Sequence, residues 1–250
     1  MIESRNRFLN EIGTWITIPH TSIIEILAGA GFQWMVIDME HSAIDIRTAG
    51  ELIKCIQGNG LKALVRLPKN EEVVIKQVLD AGADGLVIPM VKSLEEFKKS
   101  VEWSHYPPKG KRGVGLSRAQ GYGNSFEGYK KWLTNDLTLI AQIEHIESVN
   151  NLQEILTHPD LDGIIIGPYD LSGSMGKPGR YNDTDVISVI NKIEDLCRES
   201  NVLLGTHIIE PNSDLVIEKR NKGYDLIAFS IDFLFLGEIA RNEMQKVKAS

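Results

Sequence analysis

The 250-residue sequence predicts a (β/α)8 barrel, one domain spanning residues 1–250. Three observations point there. Eight short apolar, β-rich runs alternate with longer amphipathic stretches. The length suits a single α/β barrel. No glycine-rich phosphate turn follows an early strand, which disfavours a doubly wound open sheet. Internal repeats, low-complexity tracts and interdomain linkers are not evident in the sequence.

The elements follow in order. A first strand is expected over 13–18 and a helix over 23–29, with Gly31 just past its end. Strand two covers 34–39 and is followed by a helix over 47–59. Strand three covers 62–67, and its helix over 71–81 closes at Gly82. Strand four runs over 85–90, with a helix over 93–104. Residues 106–122, rich in Gly, Pro, Lys and Arg, have no clear periodicity, and loops of that length are usually functional or disordered. A helical segment over 126–133 comes next. Strand five spans 137–143, with a helix over 148–157. The continuous apolar run over 163–167 reads as strand six, buried on both faces as parallel strands are. A long helix over 183–200, strand seven over 202–208 and a helix over 212–221 follow. Strand eight covers 225–231, and a last helix begins at Leu234.

Composition bounds the function. A hydrophobic content of 42% and a charged content of 24% are ordinary for a globular protein. The net charge of -7 argues against nucleic acid or an anionic membrane surface as the main partner, although a local pocket for a small anion remains open. Cys55 and Cys197 match no metal spacing and read as idle or buried thiols. Residues 1–7 are not followed by an apolar signal core, and no apolar run approaches the ~20 residues of a membrane helix. A cytoplasmic protein is expected.

Barrel chemistry sits at the C-terminal ends of the strands, so polar groups there are the candidates. Strand two ends in Asp38, Glu40 and His41. Asp38 and Glu40 share a face at period two. Arg66 falls inside the strand-three pattern, where a charge needs a partner. An ion pair with Asp38 or Glu40 and a clamp on a substrate carboxylate are compatible roles. Strand five carries Gln142 and Glu144 on one side. The turn after strand six delivers Asp170. One Glu and one Asp from neighbouring strands make a hard-oxygen site for Mg2+ or Mn2+. A helix cap for Asp170 and an ion pair for Glu144 are the alternatives. His20, His145 and His207 lack zinc-site spacing, so no zinc is assigned. His20 could line the mouth, and His207 is a core or pocket residue. No lysine ends a strand, which argues against covalent Schiff-base chemistry at the mouth.

With these residues in hand, the chain resembles the HpcH/HpaI family of metal-dependent pyruvate aldolases, of the 2,4-dihydroxyhept-2-ene-1,7-dioate and 2-keto-3-deoxy-sugar-acid aldolase type. The matching stretches are Leu27-Ala28-Gly29-Ala30-Gly31-Phe32, Ile37-Asp38-Met39-Glu40-His41, Val65-Arg66, the run from Ala81 to Val91, Arg112-Gly113-Val114-Gly115, Gln142-Ile143-Glu144 and Ile166-Gly167-Pro168-Tyr169-Asp170-Leu171-Ser172. They occur in order over nearly the whole chain.

The resemblance implies a barrel whose last helix is often exchanged between subunits, in hexamers built from dimers. It implies a divalent metal (Mg2+, Mn2+ or Co2+) on Glu144 and Asp170. It implies His41 as general base and Arg66 as the group that stabilises developing charge. Gln142 would contact substrate, and the backbone N–H groups around Tyr169 and Asp170 would hold the pyruvate carboxylate. Asp80 matches an acid that raises the basicity of the His. It lies at the wrong end of its own barrel, which implies a contribution from a neighbouring subunit. Tyr169 departs from the small Ala or Ser of the best-known members, implying a different pocket.

The expected reaction is reversible cleavage of a 4-hydroxy-2-oxoacid to pyruvate and an aldehyde, with Asp38 or Asp80 supporting His41. Two other readings are a carbon–carbon lyase acting on a coenzyme A thioester, as in the citrate-lyase-β and malyl-CoA group, and a barrel that binds a ligand without catalysis.

Overall fold

The computed structural model describes residues 11–249. Eight parallel strands close a barrel in chain order: β1 (Ile12–Ile16), β2 (Trp34–Asp38), β3 (Lys62–Arg66), β4 (Gly85–Ile88), β5 (Thr138–Ile143), β6 (Gly163–Ile166), β7 (Leu203–Ile208) and β8 (Leu226–Ile231). β1 pairs with both β2 and β8, which closes the ring. Helices α1 (Thr21–Gly29), α2 (Ile46–Gly58), α3 (Glu72–Asp80) and α4 (Leu94–Ser104) follow the first four strands. The rest are α5 (Phe126–Asn135), α6 (Ile146–Asn150), α7 (Leu152–Ile155), α8 (Pro168–Ser174), α9 (Thr184–Arg198), α10 (Ser213–Asn221) and α11 (Asp232–Ala249).

Alternation along each strand makes two cores. Trp15, Trp34, Val36, Leu64, Val87 and Ile165 fill the barrel interior. Met35, Ile37, Ala63, Val65, Ile164 and Ile166 face the helices and pack against residues such as Leu52, Ile56 and Val78. Each fully buried aliphatic side chain contributes roughly 1.5–3 kcal/mol. Gly13 decides how the floor packs. A Cβ there would stand 2.1 Å from the Trp34 ring, so only glycine lets that indole fill the barrel.

The structure differs from the sequence reading at element ends. β1 stops at Ile16 because the next amides bond elsewhere. The N–H groups of Thr17 and Ile18 each donate to Asp232 Oδ2 at 2.7 Å, and the Thr17 hydroxyl donates to Oδ1 at 2.7 Å. Asp232 thereby ties the first strand to the start of α11. β4 stops at Ile88, and Met90 takes a left-handed φ of 53°. The helix expected over 148–157 is two short helices, α6 and α7, broken at Asn151. The aperiodic segment contains a 3-10 turn at Arg118–Gly123, with left-handed Gly121 and Tyr122 inside it. A short helix, α8, follows the β6 turn, where the sequence suggested only a possible cap.

α11 buries only Asp232. Leu236, Ile239 and Val247 are 64%, 68% and 64% exposed on it. Among the described residues no helix is long and apolar enough to cross a membrane. The N-terminal stretch read for a signal core, 1–7, lies outside the described residues.

Candidate active site at the barrel mouth

β2 and β3 present the first half of the site. Their register pairs Asp38 with Arg66. Arg66 donates from Nε to Asp38 Oδ1 at 2.9 Å and from Nη2 to Oδ2, the bidentate fork that guanidinium geometry favours. Asp38 Oδ1 also accepts the N–H groups of Glu40 at 3.0 Å and His41 at 3.1 Å. Burial alone would raise the Asp38 pKa. Arg66 and the two amides outweigh it and hold the carboxyl below the usual range.

Arg66 reaches further. Its Nη1 lies 3.3 Å from Glu40 Oε2, an ion-pair distance without an aligned hydrogen bond. Its guanidinium sits over the Trp15 ring, 4.4 Å from the centroid. Trp15 in turn stacks on His207, with ring centroids 5.1 Å apart. His207 Nε2 lies 3.1 Å from the Ser230 carbonyl, which accepts, so Nε2 carries the proton and Nδ1 is left as an acceptor. Burial lowers the His207 pKa to about 4, which keeps the imidazole neutral beside Arg66. Ser230 holds its carbonyl there from a left-handed backbone, φ 53°.

β5 and β6 supply the second half. Glu144, just past β5, is 2% exposed. Its Oε1 accepts the Met90 N–H at 2.8 Å, which explains the unusual backbone at Met90. Its Oε2 accepts from Gln142 Nε2. The Gln142 carbonyl oxygen has no partner although buried. Burial raises the Glu144 pKa to about 7, and the charges of Glu40 and Asp170 push the same way. Glu40 is likewise raised by burial, then by Asp38 and Asp170. Asp170 is exposed, third in the first turn of α8, and its charge is felt by both glutamates. It makes no side-chain cap.

The donor set suits a hard divalent cation. Asp38 and Glu40 pair with one guanidinium, Glu40, Glu144 and Asp170 lie close enough for the glutamates to feel the neighbouring charges, and the Gln142 oxygen is orphaned. Gly167 keeps the cradle open. A Cβ there would lie 2.8 Å from Glu144 Cβ and 2.9 Å from its Oε2. No three His, Cys, Asp or Glu form a complete cage among the described residues.

The other sequence candidates fall as follows. His41 is 64% exposed at the rim, with Nε2 3.8 Å from Glu40 Oε2. Tyr169 is 46% exposed and packs on Tyr181, with centroids 4.8 Å apart. Its hydrogen bond to Tyr181 raises its pKa, with burial adding to the shift. Asp80 ends α3, before β4, and pairs with the buried Arg112 rather than with the mouth. His20 caps α1 and His145 caps α6, so both are accounted for by helix starts. Cys197 is buried, its thiol pushed up to about 12.

Sequence reading missed Trp15 and the Met90 amide. A tryptophan near the end of a barrel strand was a readable signal. The Met90 amide was not, since its direction depends on one backbone angle.

Residues 11–234 match the HpcH/HpaI aldolase/citrate lyase family. The chain is 35% identical over 237 residues to the hydroxypyruvate/pyruvate aldolase of Roseovarius nubinhibens, covering 94% of this chain and 91% of that one. It is 34% identical over 232 residues to the 4-hydroxy-2-oxo-heptane-1,7-dioate aldolase of Escherichia coli, covering 92% and 87%. A crystal structure of a family protein from Burkholderia cenocepacia superposes with a TM-score of 0.91 at 27% identity, over 99% of this chain and 100% of that one.

Proposed function

Since this chain belongs to the HpcH/HpaI aldolase/citrate lyase family, we propose that its barrel mouth reversibly cleaves a 4-hydroxy-2-oxoacid to pyruvate and an aldehyde. The chain is an aldolase, a carbon–carbon lyase; its named relatives are pyruvate and hydroxy-oxoacid aldolases. The observation that supports the mechanism is the set of four carboxylates at the C-terminal ends of β2, β5 and β6, with Arg66 of β3 paired to Asp38 and Glu40.

Cleavage must remove a proton from the 4-hydroxyl and place negative charge on the pyruvate half. Glu144 and Asp170 would hold a divalent cation, Mg2+, Mn2+ or Co2+, which supplies Lewis-acid stabilisation at the 2-oxo oxygen and carboxylate. Arg66, held by Asp38, Glu40 and the Trp15 face, adds a fixed positive charge beside that oxygen. His41 takes the hydroxyl proton through water as the C3–C4 bond breaks. A proton returned to C3 completes pyruvate. Gln142, whose buried carbonyl oxygen has no partner, would contact the substrate. The first-turn amides of α8, around Tyr169 and Asp170, lack helical acceptors and hold the substrate carboxylate. Tyr169 narrows the aldehyde side.

We further propose that the chain works as an oligomer, a dimer-based hexamer with α11 exchanged between subunits. The exposed apolar stripe of α11 supports that reading. In such an assembly Asp80 would serve His41 of a neighbouring subunit. A cytoplasmic setting fits these substrates.

The test is pyruvate release from a panel of 4-hydroxy-2-oxoacids with Mg2+, Mn2+ and Co2+. Glu144→Ala and Asp170→Ala each abolish the metal-dependent release and weaken Mn2+ binding followed by electron paramagnetic resonance. Full activity in EDTA would sink the mechanism.

A further inference from the structure

A cavity lies between β6–β7 and helices α9 and α10, with Thr206 and His207 of β7 also in its lining. It measures about 490 Å3, within the range of small-molecule sites. Ile166 and Ile208 form its strand side, and both belong to the outward-facing core rather than the barrel interior. Ile187 and Ile190 of α9 and Leu215 of α10 line the helix side. α10 has no fully buried residue; Leu215 and Val216 are half-buried against the core, and the space beside Leu215 stays open. None of Arg66, Gln142, Glu144 and Asp170 lines the cavity. It nevertheless borders the mouth, because Pro168 and Tyr169 of the β6 turn line it.

Glu194, Glu210, Lys219 and Lys222 are the charged side chains that line it. Lys219 is half-buried, and among the described residues it makes no ion pair or hydrogen bond. Its ammonium lies 4.7 Å from the centroid of the Tyr224 ring, and burial lowers its pKa. Glu194, in the same wall, is already engaged. It accepts the Tyr224 hydroxyl at 2.6 Å and Arg198 Nη2 at 2.9 Å. Lys222 pairs with Glu218 at 2.7 Å. Glu194 and Glu218 act on Lys219 only through space, so a half-buried cation stands in a largely apolar wall with no anion in direct contact, a position that a single negative charge can take. A dianion would bring its second charge against Glu194.

We propose that this cavity is a binding site for a small monocarboxylate with an apolar body. The carboxylate meets Lys219, and the body packs against Ile166, Ile190, Ile208 and Leu215. The site shares its Tyr169 and His207 edge with the mouth but uses none of Arg66, Gln142, Glu144 and Asp170, and it does not depend on the reaction assigned there.

Calorimetric titration of the full chain, with Mg2+ and saturating pyruvate present, tests it. Octanoate is the probe, with octan-1-ol and octylammonium as controls of matched length. Octanoate is expected to bind once per chain, and the alcohol and the amine at least about tenfold more weakly, as a charge-assisted contact implies. Lys219→Gln should weaken octanoate about tenfold, and Leu215→Trp should fill the cavity and abolish binding. Circular dichroism and Tm verify that both variants fold. Absence of octanoate binding, equal affinity for octan-1-ol, an unchanged Lys219→Gln variant, or displacement by rising pyruvate would each overturn the proposal. If the mouth failed to bind pyruvate, the Lys219→Gln contrast would still report on this cavity alone.

Discussion

Arg66 carries one positive charge between two acids, and each contact it makes fixes where that charge points. Asp38 grips it with two oxygens, Glu40 draws on a third nitrogen, and Trp15 covers one face. Lysine keeps the charge but loses the fork and the flat stacking surface. Arg66→Lys is therefore expected to lower kcat/KM by about 100-fold with metal affinity intact, read from steady-state kinetics at saturating Mn2+. His41 makes a different kind of contribution. If it moves the hydroxyl proton, His41→Ala lowers kcat by at least about 100-fold and leaves KM nearly unchanged. A change in KM alone would make it a binding group. His207 acts on stability. Its folded pKa of about 4 lies below the ordinary value of 6.5, so the unfolded chain binds more protons between those limits. Its contribution is fully present above about pH 6.5 and is lost as pH falls to about 4, up to roughly 3 kcal/mol. Urea unfolding from pH 7 to 4 should lose less stability in His207→Gln than in the wild type. Equal slopes would remove His207 as the cause.

At the scale of elements, the β6–α8 junction decides the site. Proline at the first helical position presets the backbone, and seven residues of helix put Asp170 at its entrance. Gly167 leaves room for the Glu144 carboxylate below it. Gly167→Ala should cost about 1–3 kcal/mol by overpacking and weaken Mn2+ binding, measured by calorimetry on the purified chain. Unchanged metal affinity would separate the cradle from Glu144. α11 presents the reverse case, an element whose apolar residues its own barrel leaves bare. The double variant Leu236→Glu with Ile239→Glu should reduce the assembly size seen by sedimentation while circular dichroism stays native. An unaltered sedimentation coefficient would remove α11 from the interface.

For the whole molecule, the barrel was legible because its rule is periodic. Runs such as 163–167 are apolar throughout, since a parallel strand meets packed side chains on both faces. Boundaries were less legible because they depend on who receives the next hydrogen bond. Nothing near Thr17 in the chain announces that Asp232, more than two hundred residues later, takes its amide. α8 was hidden for a related reason, being too short for helical periodicity to show.

The site divides along the same line. By itself the sequence determined the residue types and their strand-end placement: Asp38, Glu40 and His41 after one strand, Arg66 in the next, Gln142 with Glu144, then Asp170. Spacing along a strand fixes which face a side chain takes, so the polar residues converging on one mouth could be read in advance. Only the tertiary structure decided how their charges settle. Asp38 is claimed by Arg66 while Glu144 is left with amide donors and acidic neighbours, so one carboxyl is held down and the other is driven up to about 7. It also decided that Asp80 pairs with Arg112 far along the chain, that Trp15 bridges Arg66 and His207, and that Lys219 sits over the Tyr224 ring with no anion in direct contact. The physical reason is common to all of them. Residue type and periodicity are properties of neighbours in the chain, whereas desolvation and Coulomb interaction depend on distances in space, which exist only once the barrel has closed.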